Sequence, residues 1–222
     1  MDLIIHIALT DRRAVIFDWD GTLADTRDRN YRSLCAALAP HNITVDPDWY
    51  RQHCGLAIRD LLALLQAQGT FPIEQVLAAS RAHLLTATTP DTLIPIPVAV
   101  TLARQARAVG LPCAVASGAA AVLVNAGLEV LDLREEFQAV VTRDDVEHGK
   151  PAPDAFHEAA HRLGIAPEHY LAVEDAPDGL TAARRAGMRV LAVRGGHLTT
   201  AASDSTTAVP SPNWPCCSPN TG

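Results

Sequence analysis

Between residues 97 and 195 the chain alternates helical and extended signals at short intervals. Val98 to Ala108 carries a helix pattern closed by Gly110, and Cys113-Ala114-Val115-Ala116 follows as a short apolar run ending at Ser117-Gly118. A second helix pattern is expected to be capped by Gly127, and Ala139-Val140-Val141-Thr142 is the next strand. Asp154 to Leu163 reads as a helix with Asp154 as its N-cap and Gly164 as its stop. Tyr170-Leu171-Ala172-Val173 then runs into Glu174-Asp175, a helix from about Asp178 to Ala186 stops at Gly187, and Val190-Leu191-Ala192-Val193 is the last strand. Short apolar strands separated by helices pair in parallel, so this alternation specifies an α/β fold with a Rossmann-like, doubly wound parallel sheet.

One further apolar run, Ala14-Val15-Ile16-Phe17, leads into Asp18-Trp19-Asp20-Gly21-Thr22-Leu23. A strand that ends in Asp and turns at Gly21 leaves Asp18 and Asp20 side by side at the carboxyl end of the sheet. In open α/β folds ligands bind in that crevice. Like charges held that close repel, so either one carboxylate stays protonated or a cation sits between them. A hard divalent ion that prefers oxygen ligands, Mg2+, is the natural candidate.

After this first corner the pattern changes. Arg27 to Leu38, Ile58 to Gln68 and Ile73 to Thr86 fit helical spacing, and strand patterns are lacking between the first strand and residue 97. Leu61-Leu62-Ala63-Leu64-Leu65 is the core stripe of one such helix. The expected organisation is a discontinuous core of residues 11–23 and 94–197, interrupted by an α-helical cap over 24–93. Ala24-Asp25-Thr26 and the proline-bearing stretch from Thr89 to Pro97 make the two strands of a hinge, and a helical insertion there can act as a lid. Trp19, between the two aspartates, is expected to pack beneath the cap. Residues 198–222 are rich in Ser, Thr, Pro and Asn without periodicity and read as a disordered tail. The apolar opening from Leu3 to Leu9 has an acidic Asp2, no basic stretch and too little length for a span, and reads as an edge segment or lead-in.

Charge narrows the partners. The formal net charge of the 222 residues is −7 and the basic side chains are scattered, which excludes a face built for nucleic acid. No membrane partner is expected either. The five cysteines, at 35, 54, 113, 216 and 217, have no metal-like spacing and point to a reducing compartment, hence a cytoplasmic protein. Of eighteen basic side chains seventeen are arginine and only Lys150 is lysine, which singles out position 150.

Four features fall at expected carboxyl ends of strands: Asp18 with Asp20, Ser117, the Gly149-Lys150-Pro151 corner, and Glu174-Asp175. Each alone has an ordinary structural reading, as turn, cap or solvated charge. Together they make sense as charge balance around a bound phosphate monoester, which adds nearly two negative charges. Lys150 supplies a compact fixed cation able to meet both a phosphate oxygen and a carboxylate. Ser117, with Gly118 beside it, and the backbone N–H groups around Trp19 and Asp20 serve the remaining phosphoryl oxygens. Asp18 is a competent nucleophile toward phosphorus, and Asp20 can protonate the leaving oxygen and later deprotonate water. Asp18, the backbone carbonyl of Asp20, and Asp175 are the expected metal contacts, with Glu174 joining them or standing behind them.

This set resembles the haloacid dehalogenase superfamily of phosphohydrolases over residues 13–194. Its first motif is similar to Asp18-Trp19-Asp20-Gly21-Thr22, its second to Ser117, its third to Lys150 in GKPAPDAF and its fourth to Glu174-Asp175 in VEDAPDGL. The resemblance implies a Rossmann-like core with an inserted helical cap, Mg2+ and a phosphoaspartate mechanism. Cap position and motif detail look most similar to the branch of β-phosphoglucomutase, phosphoglycolate phosphatase and sugar-phosphate phosphatases. Asp20 stands against carbon–halogen cleavage, and a Schiff-base route through a cap lysine is closed because Lys150 is the only lysine. Mutases of this branch often carry a histidine early in the cap, where this chain has Asn30 and Tyr31. Cap residues Asn30, Gly55 and Arg59 are candidates for contact with the leaving group. The expected activity is therefore a phosphatase acting on a small phosphate ester, a sugar phosphate, as a monomer or weak dimer. A sugar-phosphate mutase and a catalytically silent phosphate-binding module stand as alternatives. His148, near the third motif, is read as a surface residue.

Overall fold

The computed structural model describes residues 9–54, 56 and 58–200. Its centre is β1 (Ala14–Phe17), four residues without solvent exposure. β4 (Cys113–Ala116) and β6 (Tyr170–Glu174) pair with it in parallel on either side, and β5 (Ala139–Val141) and β7 (Arg189–Arg194) extend the sheet outward, again in parallel. β8 (His197–Thr200) closes one edge antiparallel to β7, giving the order β5-β4-β1-β6-β7-β8. The doubly wound parallel core is as the alternation specifies.

Successive strand residues point to opposite faces, and the core is split accordingly. Val15, Phe17, Cys113 and Val115 face α5 (Pro97–Ala108) and α6 (Ala121–Val130), burying Leu102, Ala103, Val124 and Leu128. Ala14, Ile16, Ala114 and Ala172 face α7 (Asp154–Leu163) and α8 (Pro177–Arg185), burying Phe156, Ala159, Ala182 and Ala183. Alanine dominates that second layer, so its helices approach the sheet closely.

Between β1 and α5 lies a helical unit with its own apolar cluster. It comprises α1 (Arg27–Leu38), α2 (Pro47–His53), α3 (Ile58–Leu65) and α4 (Ile73–Thr86), around Tyr31, Leu34, Leu38, Leu62, Leu65 and Val76. The unit is entered and left through a two-stranded antiparallel ribbon. There β2 (Ala24–Asp25) pairs with β3 (Ile94–Pro95), Ala24 opposite Pro95.

Several expectations are corrected. Helix α2 was not foreseen; it is capped by Asp46, whose side chain accepts the Trp49 N–H at 2.8 Å, and Pro47 is its first residue. The tail boundary at 198 cuts through β8; residues 195 and 196 are both glycines at positive φ (54° and 79°), the two-residue hairpin turn whose twist matches the strands. The lead-in through residue 8 and the tail from 201 lie outside the described residues. Gly127 does not cap α6 but sits inside it, because a Cβ there would run into the Trp19 indole. Trp19 is fully buried with Phe17, Leu93 and Leu128 in the sheet's own core, not beneath the helical unit. Asp154 is the first residue of α7, not its N-cap: Pro153 holds that position, and the Asp154 carboxylate accepts the His148 N–H at 3.1 Å. His148 is exposed, as expected, with its ring on the same carboxylate.

Candidate active site

The strand register brings the four motifs together. Phe17 lies opposite Val173 on one side and Val115 on the other, so Asp18 is level with Glu174 and Ser117 stands one residue beyond it. Asp18, 5% exposed, continues the ladder by donating its N–H to the Val173 carbonyl at 2.9 Å. The following turn is tied to the Trp19 carbonyl, which accepts from Thr22, Leu23 and Ala24 at 3.0–3.3 Å. Gly21, at φ 80°, lets this turn approach the end of β6, since a Cβ would collide with the Asp175 carboxylate. Thr22 Oγ1 donates to Asp175 Oδ1 at 3.3 Å from the same turn.

Lys150 is the link between these elements. Its Nζ donates to Asp18 Oδ1 and to Glu174 Oε1, both at 2.6 Å, and lies 5.2 Å from the centre of the Phe156 ring. The loop that carries it is held from two sides. Arg143 donates to the carbonyls of Val146 (2.7 Å) and Glu147 (3.2 Å), and Arg185 to that of Pro151 (3.0 Å). Neither arginine was singled out from the sequence. Glu174, 1% exposed, also accepts the Ala176 N–H at 2.7 Å, and its carboxylate fills the space left by the missing side chain of Gly179.

Asp18, Glu174 and Asp175 each present an oxygen within 4.8 Å of the others, the one such group among the described residues. The Asp20 carboxylate is not a member, so the expected contact from Asp20 rests on its backbone carbonyl alone. The Asp20 side chain turns to the helical unit instead: its Oδ1 accepts from Thr26 Oγ1 at 2.5 Å and from Asn30 Nδ2 at 3.4 Å. Asn30 therefore reaches the site. Thr26 was not singled out as a site residue, although its place beside the hinge strand was visible. Ser117 is buried; its Oγ accepts the Ala119 N–H at 3.0 Å, which leaves the hydroxyl proton to donate elsewhere, and Gly118 beside it has open space where a side chain would stand. Arg59 is exposed and ion-paired to Glu74 on the surface, and Gly55 lies outside the described residues.

Electrostatics mark the same cluster. Burial and then the repulsion of Glu174 push Asp18 well above the usual carboxylate range against the pull of Lys150. Burial and Glu174 likewise raise Asp175 to about 7. Burial works against a charged Lys150, yet the Asp18 and Glu174 carboxylates outweigh it and hold the ammonium above its ordinary value. Two buried carboxylates and the half-buried Asp175 beside one ammonium are short of positive charge, and a hard divalent cation fits that deficit.

Residues 12–187 match the family model of haloacid dehalogenase-like hydrolases, and the chain belongs to that family. It is a phosphatase. The chain is 31% identical over 191 residues to fructose-1-phosphate phosphatase YqaB of Escherichia coli (81% of this chain, 95% of the relative). It is 28% identical over 192 residues to hexitol phosphatase A of the same bacterium (82% of each). Its fold superposes on CbbY from Rhodobacter sphaeroides, solved in complex with phosphate, with a TM-score of 0.77 and 26% identity over 87% of this chain and 92% of that one. Among the described residues no helix is long and apolar enough to cross a membrane.

Proposed function

We propose that the protein is a Mg2+-dependent phosphatase that hydrolyses a small sugar phosphate through an aspartyl-phosphate formed on Asp18, beneath a cap built from residues 24–93. The observation that carries this reading is the Lys150 ammonium at 2.6 Å from both Asp18 and Glu174. A cation so placed can meet a phosphoryl oxygen while it orients the nucleophile. Asp18, Asp175 and Glu174, with the Asp20 carbonyl, would hold Mg2+, which would supply further positive charge for the phosphoryl oxygens. Lys150, the Ser117 hydroxyl and Gly118 bind the remaining oxygens.

An oxygen of Asp18 attacks phosphorus as the bond to the leaving oxygen breaks, and Asp20 gives that oxygen its proton. Asp20 then takes a proton from water as the water attacks the phosphoryl group. Inorganic phosphate leaves and the Asp18 carboxylate is restored. Thr26 and Asn30 hold the Asp20 carboxylate in place for both transfers. The names of the two E. coli relatives support a sugar phosphate as substrate.

The test is phosphate release from a panel of sugar phosphates, with and without Mg2+, by the wild type and Asp18→Asn. Turnover that requires Mg2+ and is lost in Asp18→Asn is expected; a variant that keeps normal release sinks the nucleophile assignment. Isomerised sugar in place of free phosphate would favour a mutase.

A further inference from the structure

Arg27 is the first residue of α1, where the chain enters the helical unit from the β2–β3 ribbon. It stands three residues before Asn30, and residues three apart share a helix face. Asn30 reaches the Asp20 carboxylate at 3.4 Å, so the face that carries Arg27 is turned toward the carboxylates of the site. Arg27 therefore stands at the seam between the sheet and the helical unit.

The guanidinium there is underused. It is half exposed, and its one described ion pair runs from Nε to the half-exposed Asp25 at 3.5 Å. Among the described residues its two Nη groups carry no hydrogen bond. The neighbouring cations are engaged elsewhere. Lys150 bridges Asp18 and Glu174, buried Arg29 donates to Thr88 Oγ1, Arg59 pairs with Glu74, and Arg194 donates to the Asp175 carbonyl. On the proposed mechanism Asp20 protonates the leaving oxygen, so the leaving group extends from Asp20 toward this face of α1.

We propose that Arg27 is a specificity-determining residue that binds an anionic substituent of the leaving group, a carboxylate or a second phosphate. The enzyme then prefers phosphate esters bearing a second negative group over their neutral counterparts. The planar fork of two free Nη groups suits either anion. This inference rests on the phosphatase reading above.

The experiment compares kcat/KM within two matched pairs, in wild type, Arg27→Gln and Arg27→Lys. 2-Phosphoglycolate against 2-hydroxyethyl phosphate tests a carboxylate, and fructose 1,6-bisphosphate against fructose 1-phosphate tests a second phosphate. The wild type is expected to favour the anionic member of at least one pair by about 10-fold or more, the worth of one charge-assisted hydrogen bond. Arg27→Gln brings that ratio close to one and Arg27→Lys recovers much of it. Raising ionic strength narrows the wild-type ratio, a readout that needs no variant. Equal wild-type rates within both pairs, a ratio that Arg27→Gln leaves unchanged, or a wild-type ratio indifferent to salt overturns the assignment. No turnover of any of the four esters with Mg2+ overturns the phosphatase reading itself, and is told apart because the wild type alone reports it.

Discussion

Without metal, Asp175 holds its proton up to about pH 7, whereas an unperturbed aspartate loses it near 3.8. The folded protein binds this proton more tightly than the unfolded chain does. The stability it contributes is therefore complete below pH 3.8 and declines as pH rises toward 7. The step from 3.8 to about 7, at about 1.36 kcal/mol per pH unit, is worth on the order of 4 kcal/mol, an upper figure because Asp175 keeps some contact with solvent. Asp18, also raised, acts in the same direction. The raised Lys150 contributes throughout this range, since its share is lost only in strongly alkaline solution. Urea unfolding in EDTA should therefore show the protein less stable at pH 8 than at pH 5, by up to several kcal/mol. Mg2+ should restore the loss at pH 8; a ligand at 100-fold over its Kd stabilises by about 2.7 kcal/mol. It should do much less at pH 5, where protons already occupy the site. Asp175→Asn should reduce the pH dependence, with Asp18 accounting for what is left. Metal-free protein that is equally stable at both pH values, or more stable at pH 8, refutes the reasoning, as does a Mg2+ effect equal at the two.

Removing the ammonium with Lys150→Met leaves three carboxylates facing one another without their cation. A loss of about 3–5 kcal/mol is expected by urea unfolding in EDTA at pH 8, shrinking at pH 5; an equal loss at both would mean that Lys150 acts through packing alone. Gly127→Ala drives a methyl group into the Trp19 indole and should cost about 1–3 kcal/mol; an unchanged melting temperature would contradict the contact. Gly179→Ala displaces the Glu174 carboxylate from its seat against Lys150. Phosphatase kcat/KM should fall about 10-fold or more, on the order of the 1.4 kcal/mol that one weakened charge-assisted contact is worth, and wild-type kinetics in this variant would remove Glu174 from the account.

Legibility followed how locally each feature is determined. The parallel core could be read because each strand is a short apolar run bounded by a glycine stop or a polar corner, and the nucleophile, lysine and acidic pair sit directly at those bounds. β8 was missed because His197-Leu198-Thr199-Thr200 merges in composition with the Ser/Thr-rich stretch after it, though Gly195-Gly196 carried the hairpin signal. α2 was missed because it is seven residues long and buries only Tyr50, though Asp46-Pro47 is a start signal. Gly127 was misread for a different reason. A glycine before an apolar turn looks like a cap, and only the tertiary approach of Trp19, more than a hundred positions away, explains it. Arg143 was invisible because it braces the Lys150 loop through backbone carbonyls, which no side-chain pattern encodes.

The division of labour in the site follows from the same geometry. Asp18, Ser117 and Glu174-Asp175 are strand-end residues of one sheet, and their spacing is fixed by the strand register. Asp20 is the exception. It leaves the same strand, yet its carboxylate is held by Thr26 and Asn30 on the side of the helical unit, the side on which Arg27 also lies. On the proposed mechanism phosphorus is handled by the sheet, while the leaving oxygen and whatever it carries are met by the segment after residue 24. Substitutions in that segment, Thr26 and Asn30 apart because they hold Asp20, can change the ester without disturbing phosphoryl transfer. That separation is consistent with relatives only 28–31% identical to this chain being phosphatases named for different sugar-derived substrates. It also locates the place to look for this protein's own preference, in the first turn of α1, where Arg27 follows Thr26 directly and stands three residues before Asn30, the two partners of the proton donor.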